Sequence, residues 1–294
     1  MIRADRYYGR LGNRMLQYAS MYALSRATGY RLSVPPIGEF PATSEVVGSK
    51  VYDTGRDICP IPSKGGNWID YASLDLDPQR TIQRESYWEN IYNFHHCHPE
   101  LRSIFQLPDL DLAAYRMAVI GDGSFPPVTV DRICPDDLVI SLRLGDFLRP
   151  IIKTNPPHRL LLHDYFKLIL ANCKYSRLFI TSDEPFHPFV NEFKRYGPIL
   201  VHNESPLSTM AFVTRFNKIA ISQSTYSWWC AYLSRAAEVY YPIPRTGPWS
   251  VSTEWTVPDL YLRIHSEAYR YVHYASGEIF SWKDAPGRRD HDDF

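Results

Sequence analysis

Four short segments hold the residues best suited to handling a phosphate or a proton: Ser141-Leu142-Arg143-Leu144-Gly145-Asp146, Thr181-Ser182-Asp183-Glu184, His202-Asn203-Glu204-Ser205 and Ser222-Gln223-Ser224-Thr225-Tyr226. Each follows a short apolar run. The last also precedes a run with helical character, so the hydroxyls and unpaired backbone N–H groups of Ser224, Thr225 and Tyr226 would form an anion site at a helix N-terminus. Ser224 or Thr225 acting as a plain helix cap is the simpler role for the same residues. Arg143 brings a guanidinium fork that suits a diphosphate, or an ion pair with Asp146 or Asp183. Asp183 could accept the N–H donors of a guanine edge, or cap the element that follows it.

Those segments must be held by a parallel sheet. Apolar runs at Leu138–Leu142, Arg177–Thr181, Pro198–His202, Lys218–Ser222 and Glu238–Tyr241 read as strands. They alternate with helical stretches at Leu160–Ala171, Phe186–Arg195, Pro206–Asn217 and Thr225–Arg235. Such alternation implies right-handed crossovers, and ligands then bind at the carboxyl ends of the strands. The chain opens in the same manner. An extended stretch to Tyr8 leads into Gly9-Arg10-Leu11-Gly12-Asn13, then a helix from about Asn13 to Thr28, a C-cap glycine at Gly29 and a strand at Arg31–Val34. Met15, Tyr18, Ala19, Tyr22 and Ala23 would form its apolar stripe. The two glycines permit a sharp turn and close backbone approach, and Asn13 reads best as the helix cap. Pro35 to about Asp77 is rich in Pro, Gly and Ser and carries no assigned chemistry. Arg80–Glu85 reads as a strand, while Tyr87–Leu107 and Leu110–Gly121 look helical in pieces. Gly121-Asp122-Gly123-Ser124-Phe125-Pro126-Pro127 is the expected linker. This gives a first domain at 1–125, a second at 126–282 and a mobile, charged tail at 283–294.

Composition narrows the partners. Of 294 residues, 45% are hydrophobic and 22% charged, as in an ordinary globular protein. Lys plus Arg and Asp plus Glu are each 32, so no net field draws the chain to nucleic acid or to an anionic membrane. Any anion must be held by local groups. Five scattered cysteines without a CxxC pair fit a reducing compartment, and no stretch approaches the roughly 20 apolar residues of a membrane span. The expected location is cytoplasmic, or the Golgi lumen for a chain trimmed of an anchor. His95-His96-Cys97-His98 has metal-binding atoms without metal-binding spacing. Asp75-Leu76-Asp77 and Asp109-Leu110-Asp111 follow no convincing strand, so no metal is expected.

Four blocks, in order, carry a resemblance. Gly9-Arg10-Leu11-Gly12-Asn13-Arg14-Met15-Leu16-Gln17-Tyr18-Ala19 resembles the G-x-L-G-N-Q-M-F-Q-Y-A opening of the α-1,2-fucosyltransferases. Ser141–Phe147 is similar to their H-x-R-x-G-D-Y segment, Phe179–Glu184 to their F-x-S-D-D strand end, and Ser224–Leu233 to S-T-F-S-W-W-A-A-W-L. The resemblance implies an α/β protein of GT-B type, with two Rossmann-like domains facing a cleft, and inversion at the sugar without a cofactor or metal. It implies a nucleotide-sugar donor, GDP-fucose, and a glycan acceptor. It further implies Arg143 on the donor diphosphate, Asp183 on the guanine, Ser224, Thr225 and Tyr226 on the β-phosphate, and Gly12 and Asn13 closing over the donor. Asp146 is the first choice of general base by position, followed by Glu85 and Glu89. Ser141, Leu144 and Arg14 depart from the family pattern. They keep open a different sugar nucleotide as donor, or a non-catalytic glycan- or nucleotide-binding module on the same fold.

Overall fold

The computed structural model describes residues 1–48, 58–60, 63–64, 68–69, 81–83, 90–121, 124–145, 163–243, 262–273 and 276–285. The chain divides into two compact units, Met1–Gln106 with Thr253–Arg263, and Leu107–Ser252 with Ile264–Phe294.

The first unit opens as the sequence predicts, strand–helix–strand. Strand β1 (Ile2–Arg3), helix α1 (Leu11–Thr28) and strand β2 (Leu32–Ser33) form a parallel crossover in which Ile2 pairs with Leu32. Strands β3 (Ile58–Pro60) and β6 (Thr81–Gln83) complete a parallel sheet of order β2-β1-β6-β3, and β4 (Ser63–Lys64) pairs antiparallel with β5 (Trp68–Ile69). Gly29 ends α1 in the left-handed conformation (φ 73°), its N–H donating to Ser25 O at 2.8 Å. The helix is buried on more than the expected stripe, because Gln17, Ser20 and Ser25 join the apolar residues inside. A helix with no charge between Arg14 and Arg26 can be enclosed in this way. Its core is aromatic. Tyr18 packs on Tyr22 and on the edge of Phe105, which in turn meets Phe40 at 5.0 Å. Helix α2 (His98–Ile104) follows two 3-10 turns, Ile91–Asn93 and His95–Cys97.

The second unit is an eight-stranded sheet. Its strands are β7 (Arg116–Val119), β8 (Leu138–Leu142), β9 (Leu178–Ser182), β10 (Ile199–His202), β11 (Lys218–Ile221), β12 (Glu238–Pro242), β13 (Tyr269–His273) and β14 (Glu278–Ser281). The order is β14-β13-β12-β11-β8-β9-β10-β7. The six strands from β8 to β13 run parallel, and β7 and β14 pair antiparallel at the two edges. From β8 the chain winds outward through β9 to β10, then returns to the other side of β8 and winds through β11 and β12 to β13. This is the 3-2-1-4-5-6 order of doubly wound sheets, and its switch point lies between β8 and β11. The crossover helices are α3 (His163–Asn172), the 3-10 helix Pro188–Tyr196, α4 (Pro206–Val213) and α5 (Thr225–Leu233).

Three expectations change. Leu110–Gly121, read as helical, contains only the 3-10 turn Leu112–Ala114 before β7, whose residues pair with β10. The expected linker after it folds back on β7: Val119 N–H donates to Pro126 O and Val128 N–H to Met117 O. Those residues therefore belong with the second unit, and the break between units falls at Gln106–Leu107. The expected tail begins with a folded piece, since Ala285 is buried and Lys283 pairs with Glu267; residues 286–294 lie outside the described residues.

The sheet is fastened by a covering helix and at its amino end. Every residue of β8 is buried. Tyr165 of α3, also fully buried, donates its hydroxyl to Ile221 O (3.0 Å) and Tyr240 O (3.1 Å), tying β11 to β12. Below β8, the fully buried Asp137 receives Arg177 through Nε (3.0 Å) and Nη2 (2.6 Å), and Cys134 N–H (2.6 Å). Asp137→Ala should lower unfolding free energy by about 2 kcal/mol, with Arg177 resolvated because it is partly exposed. Denaturant unfolding checks this. His163 sits against Phe189 and Phe193, with Nε2 buried and Nδ1 3.6 Å from Glu192. Burial, helped by Lys167, pushes its pKa below the ordinary imidazole value. The stability it contributes is therefore complete above the unfolded value of about 6.5 and falls as pH drops towards the folded one. His163→Phe should flatten the acid limb of a melting-temperature profile.

Candidate functional site

The carboxyl ends of β8 and β11 meet at the switch point, and three serines lock them together. Ser222 donates its N–H (3.1 Å) and its hydroxyl (2.7 Å) to Ser141 O, and its hydroxyl oxygen accepts Arg143 N–H at 3.0 Å. Ser141 Oγ and Ser227 Oγ lie 2.9 Å apart, which fastens the first turn of α5 to the same strand end. All three serines are buried. Sequence reasoning gave Ser222 and Ser227 no task, and it treated Ser141 only as a departure. Their signal was present as small hydroxyls at a strand tip, but nothing local says which carbonyl they reach.

Ser224 occupies the N-cap of α5 by backbone conformation (φ −144°, ψ 134°), yet its side chain makes no capping hydrogen bond. The first helical bond runs from Trp228 N–H to Ser224 O at 2.8 Å. The Ser224 side chain therefore does not satisfy the first N–H groups of α5, as a serine at this position commonly does. One residue earlier, Gln223 is buried and its Oε1 meets no hydrogen-bond donor among the described residues. Such an acceptor suits a ligand hydroxyl or N–H.

Arg143 and Asp183 come together, at neighbouring strand tips. Arg143 Nη1 forms an ion pair with Asp183 Oδ2, and Asp183 Oδ1 accepts Leu144 N–H at 2.9 Å. For Arg143 the ion pair is the one seen of the two roles open to it in the sequence; Asp183, read there as a guanine acceptor or a cap, is its partner instead. The pair also fixes the guanidinium at the tips of β8 and β9. Tyr226 turns its side chain elsewhere, donating its hydroxyl to Pro206 O at the start of α4. Burial holds its phenol well above the ordinary tyrosine value, with Cys230, Tyr115 and Asp183 adding and Arg143 opposing. Tyr226 is therefore a neutral donor committed to α4; its backbone N–H, not its phenol, is the part that can meet an anion.

The glycine turn of the first unit differs from expectation in one respect. Helix α1 starts at Leu11, with Arg10 at the N-cap, so Asn13 is inside the first turn and does not cap it. The reason is Gly9. Its φ of +77° turns the chain two residues before the helix, and a Cβ there would lie 2.9 Å from Asn13 Cβ. Gly12 is buried in the same turn. Gln17, also unremarked in the sequence, holds the approach: its Oε1 accepts Tyr8 N–H (2.9 Å) and its Nε2 donates to Tyr8 O (2.8 Å). Arg14, which stands where the resembled family has glutamine, pairs with Glu39 at 2.6 Å. Burial raises the Glu39 carboxyl, but the Arg14 hydrogen bond and charge outweigh it and leave the pKa lowered. Gly12 and Asn13 belong to the first unit, and Arg143, Asp183 and Ser224–Tyr226 to the second. Asp146, Glu85 and Glu89 lie outside the described residues. No group of three metal-ligating side chains forms among the described residues. None of their helices is long and apolar enough to cross a membrane.

Comparison with known proteins finds no matching family, no matching curated protein and no matching solved structure.

Gln17→Leu removes both bonds to Tyr8 and should cost about 2 kcal/mol. Gln17→Glu keeps the acceptor but sets a buried carboxylate against Tyr8 O, and should cost at least as much. Denaturant unfolding with hydrogen exchange at the Tyr8 amide checks both.

Proposed function

We propose that the protein is an inverting glycosyltransferase that takes L-fucose from GDP-fucose and attaches it to a hydroxyl of a glycan. The observation that carries the reading is the tip of β8, where Arg143 is tied by its N–H to Ser222, two residues before the N-cap of α5, and by its guanidinium to Asp183, at the switch point of a 3-2-1-4-5-6 sheet. An anion at that point would receive a charge-assisted fork from one side and backbone N–H groups from the other. Of the anions such a crevice accommodates, a nucleoside diphosphate spans the strand tips, and Asp183 supplies a carboxylate for the donor edge of guanine. The four sequence blocks resembling α-1,2-fucosyltransferases supply the sugar, and with it the GT-B arrangement of two Rossmann-like domains about a cleft.

In this reading an acceptor hydroxyl attacks the anomeric carbon as the bond to the β-phosphate oxygen breaks, with inversion at that carbon. The transition state is oxocarbenium-like and negative charge grows on the departing GDP. Arg143 and the helix N-terminus stabilise that charge, with the Arg143 backbone and the first turn of α5 already held by the three serines. Arg143 must then exchange part of its contact with Asp183 for the diphosphate. The Tyr226 phenol, raised by burial and bonded to Pro206, does not serve as the base; Asp146 keeps that assignment by position in the sequence.

Isothermal titration tests the reading. Micromolar GDP binding without UDP binding is expected, and Arg143→Ala should weaken GDP by about thirtyfold, the worth of a hydrogen bond to a charged group. Transfer from GDP-fucose to a glycan acceptor should fall with it. Unchanged GDP affinity in Arg143→Ala would remove the assigned site, and GDP binding without transfer or hydrolysis would make the protein a binding module.

A further inference from the structure

Phe186 is 67% exposed, although large apolar side chains are usually covered. It is not on a loose segment. His187 N–H donates to Glu184 O at 3.1 Å, closing a turn in which Pro185 takes the second position and Phe186 the third. Phe125, itself packed on the main core of the second unit, meets the Phe186 ring edge-on at 5.6 Å and 81°. His202, at the end of β10, leans on it at 6.2 Å and 58°. The turn and two rings thus hold an aromatic ring in place while leaving most of it in solvent.

The position of this ring suggests what covers it. Phe186 follows the tip of β9 by a few residues and stands three after Asp183, while His202 marks the tip of β10. The switch point is on the other side of β9, between β8 and β11. Adjacent strands are spaced by about 4.8 Å, so the ring lies on the order of 10 Å along the sheet edge from the proposed diphosphate site. That is the direction and reach of a ribose followed by a base. We propose that Phe186, braced by Phe125 and His202, is the platform on which the base of the bound nucleotide stacks. The proposal rests on the nucleotide-sugar reading and adds a residue to it. It assigns base recognition two parts, an aromatic face from Phe186 and a carboxylate from Asp183 on the same loop. Stacking accepts any base, so selection of guanine falls to Asp183.

The test compares two probes, GDP and abasic ribose 5-diphosphate, by isothermal titration on the full chain. Phe186→Ala should weaken GDP about tenfold, as loss of one base–aromatic stack does, and leave the abasic diphosphate unchanged. Phe186→Trp should keep or tighten GDP binding. Arg143→Ala should weaken both probes, which separates the two claims. Equal GDP affinity in the wild type and Phe186→Ala would overturn the platform, with the nucleotide reading intact if Arg143→Ala still weakens GDP. Equal weakening of both probes by Phe186→Ala would also overturn it, as would a raised acceptor KM with GDP unaffected, which would give the ring to the glycan. Failure of the wild type to bind either probe would remove the nucleotide reading and the platform together. An exposed ring can be replaced without unfolding the chain, and an unchanged melting temperature verifies that.

Discussion

The serine lock between β8 and β11 is the constraint on which the rest of the candidate site depends. A single carbonyl, Ser141 O, receives both the N–H and the hydroxyl of Ser222. The Ser222 hydroxyl then accepts the N–H of Arg143. Ser227 adds the first turn of α5 to the same strand end. These bonds are buried and mutually supporting, so the strand tips cannot separate without stranding several polar groups. The result is that the backbone of Arg143 and the first turn of α5 are fastened to one strand end.

The two ends of the sheet divide the work. At the amino end, Asp137 and Arg177 are engaged with each other, and Lys218 reaches Asp136 at 2.9 Å and Lys174 O at 2.6 Å. Those charges are consumed in fastening the starts of β8, β9 and β11. At the carboxyl end, the Arg143–Asp183 pair is partly accessible, the Ser224 side chain does not cap α5, and Gln223 keeps a buried acceptor without a protein donor among the described residues. Buried polar groups in a finished protein are normally paired, and Gln223 is an exception at the carboxyl end.

Much of this was legible in the sequence, for identifiable reasons. Strands β8 to β12 alternate with helical stretches, and apolar runs bounded by polar tips gave their ends to within a residue or two. Gly29 read correctly as a C-cap because only a left-handed residue ends α1 there. Strand β7 was misread because its short edge segment, Arg116–Val119, is long enough for neither period to show. Strands β13 and β14 went unread, although Tyr269 and Tyr271 alternate with Arg270 and Gly277 (φ 75°) marks the turn between them. Arg143, Asp183 and Ser224–Tyr226 were chosen from position, but the partner each would take was not decidable. An ion pair between residues 143 and 183, or a clamp from Gln17 to Tyr8, depends on which tips the fold brings together, and local spacing does not record that. Asn13 was misplaced because Gly9, not Asn13, sets where the helix can begin.

A crystal structure of the chain with GDP-fucose bound tests the central claim most directly. The account predicts the diphosphate between the Arg143 guanidinium and the backbone N–H groups of Thr225–Ser227, with Arg143 turned at least partly from Asp183. A nucleotide bound away from the β8–β11 switch point, with the Arg143–Asp183 pair undisturbed, would contradict it.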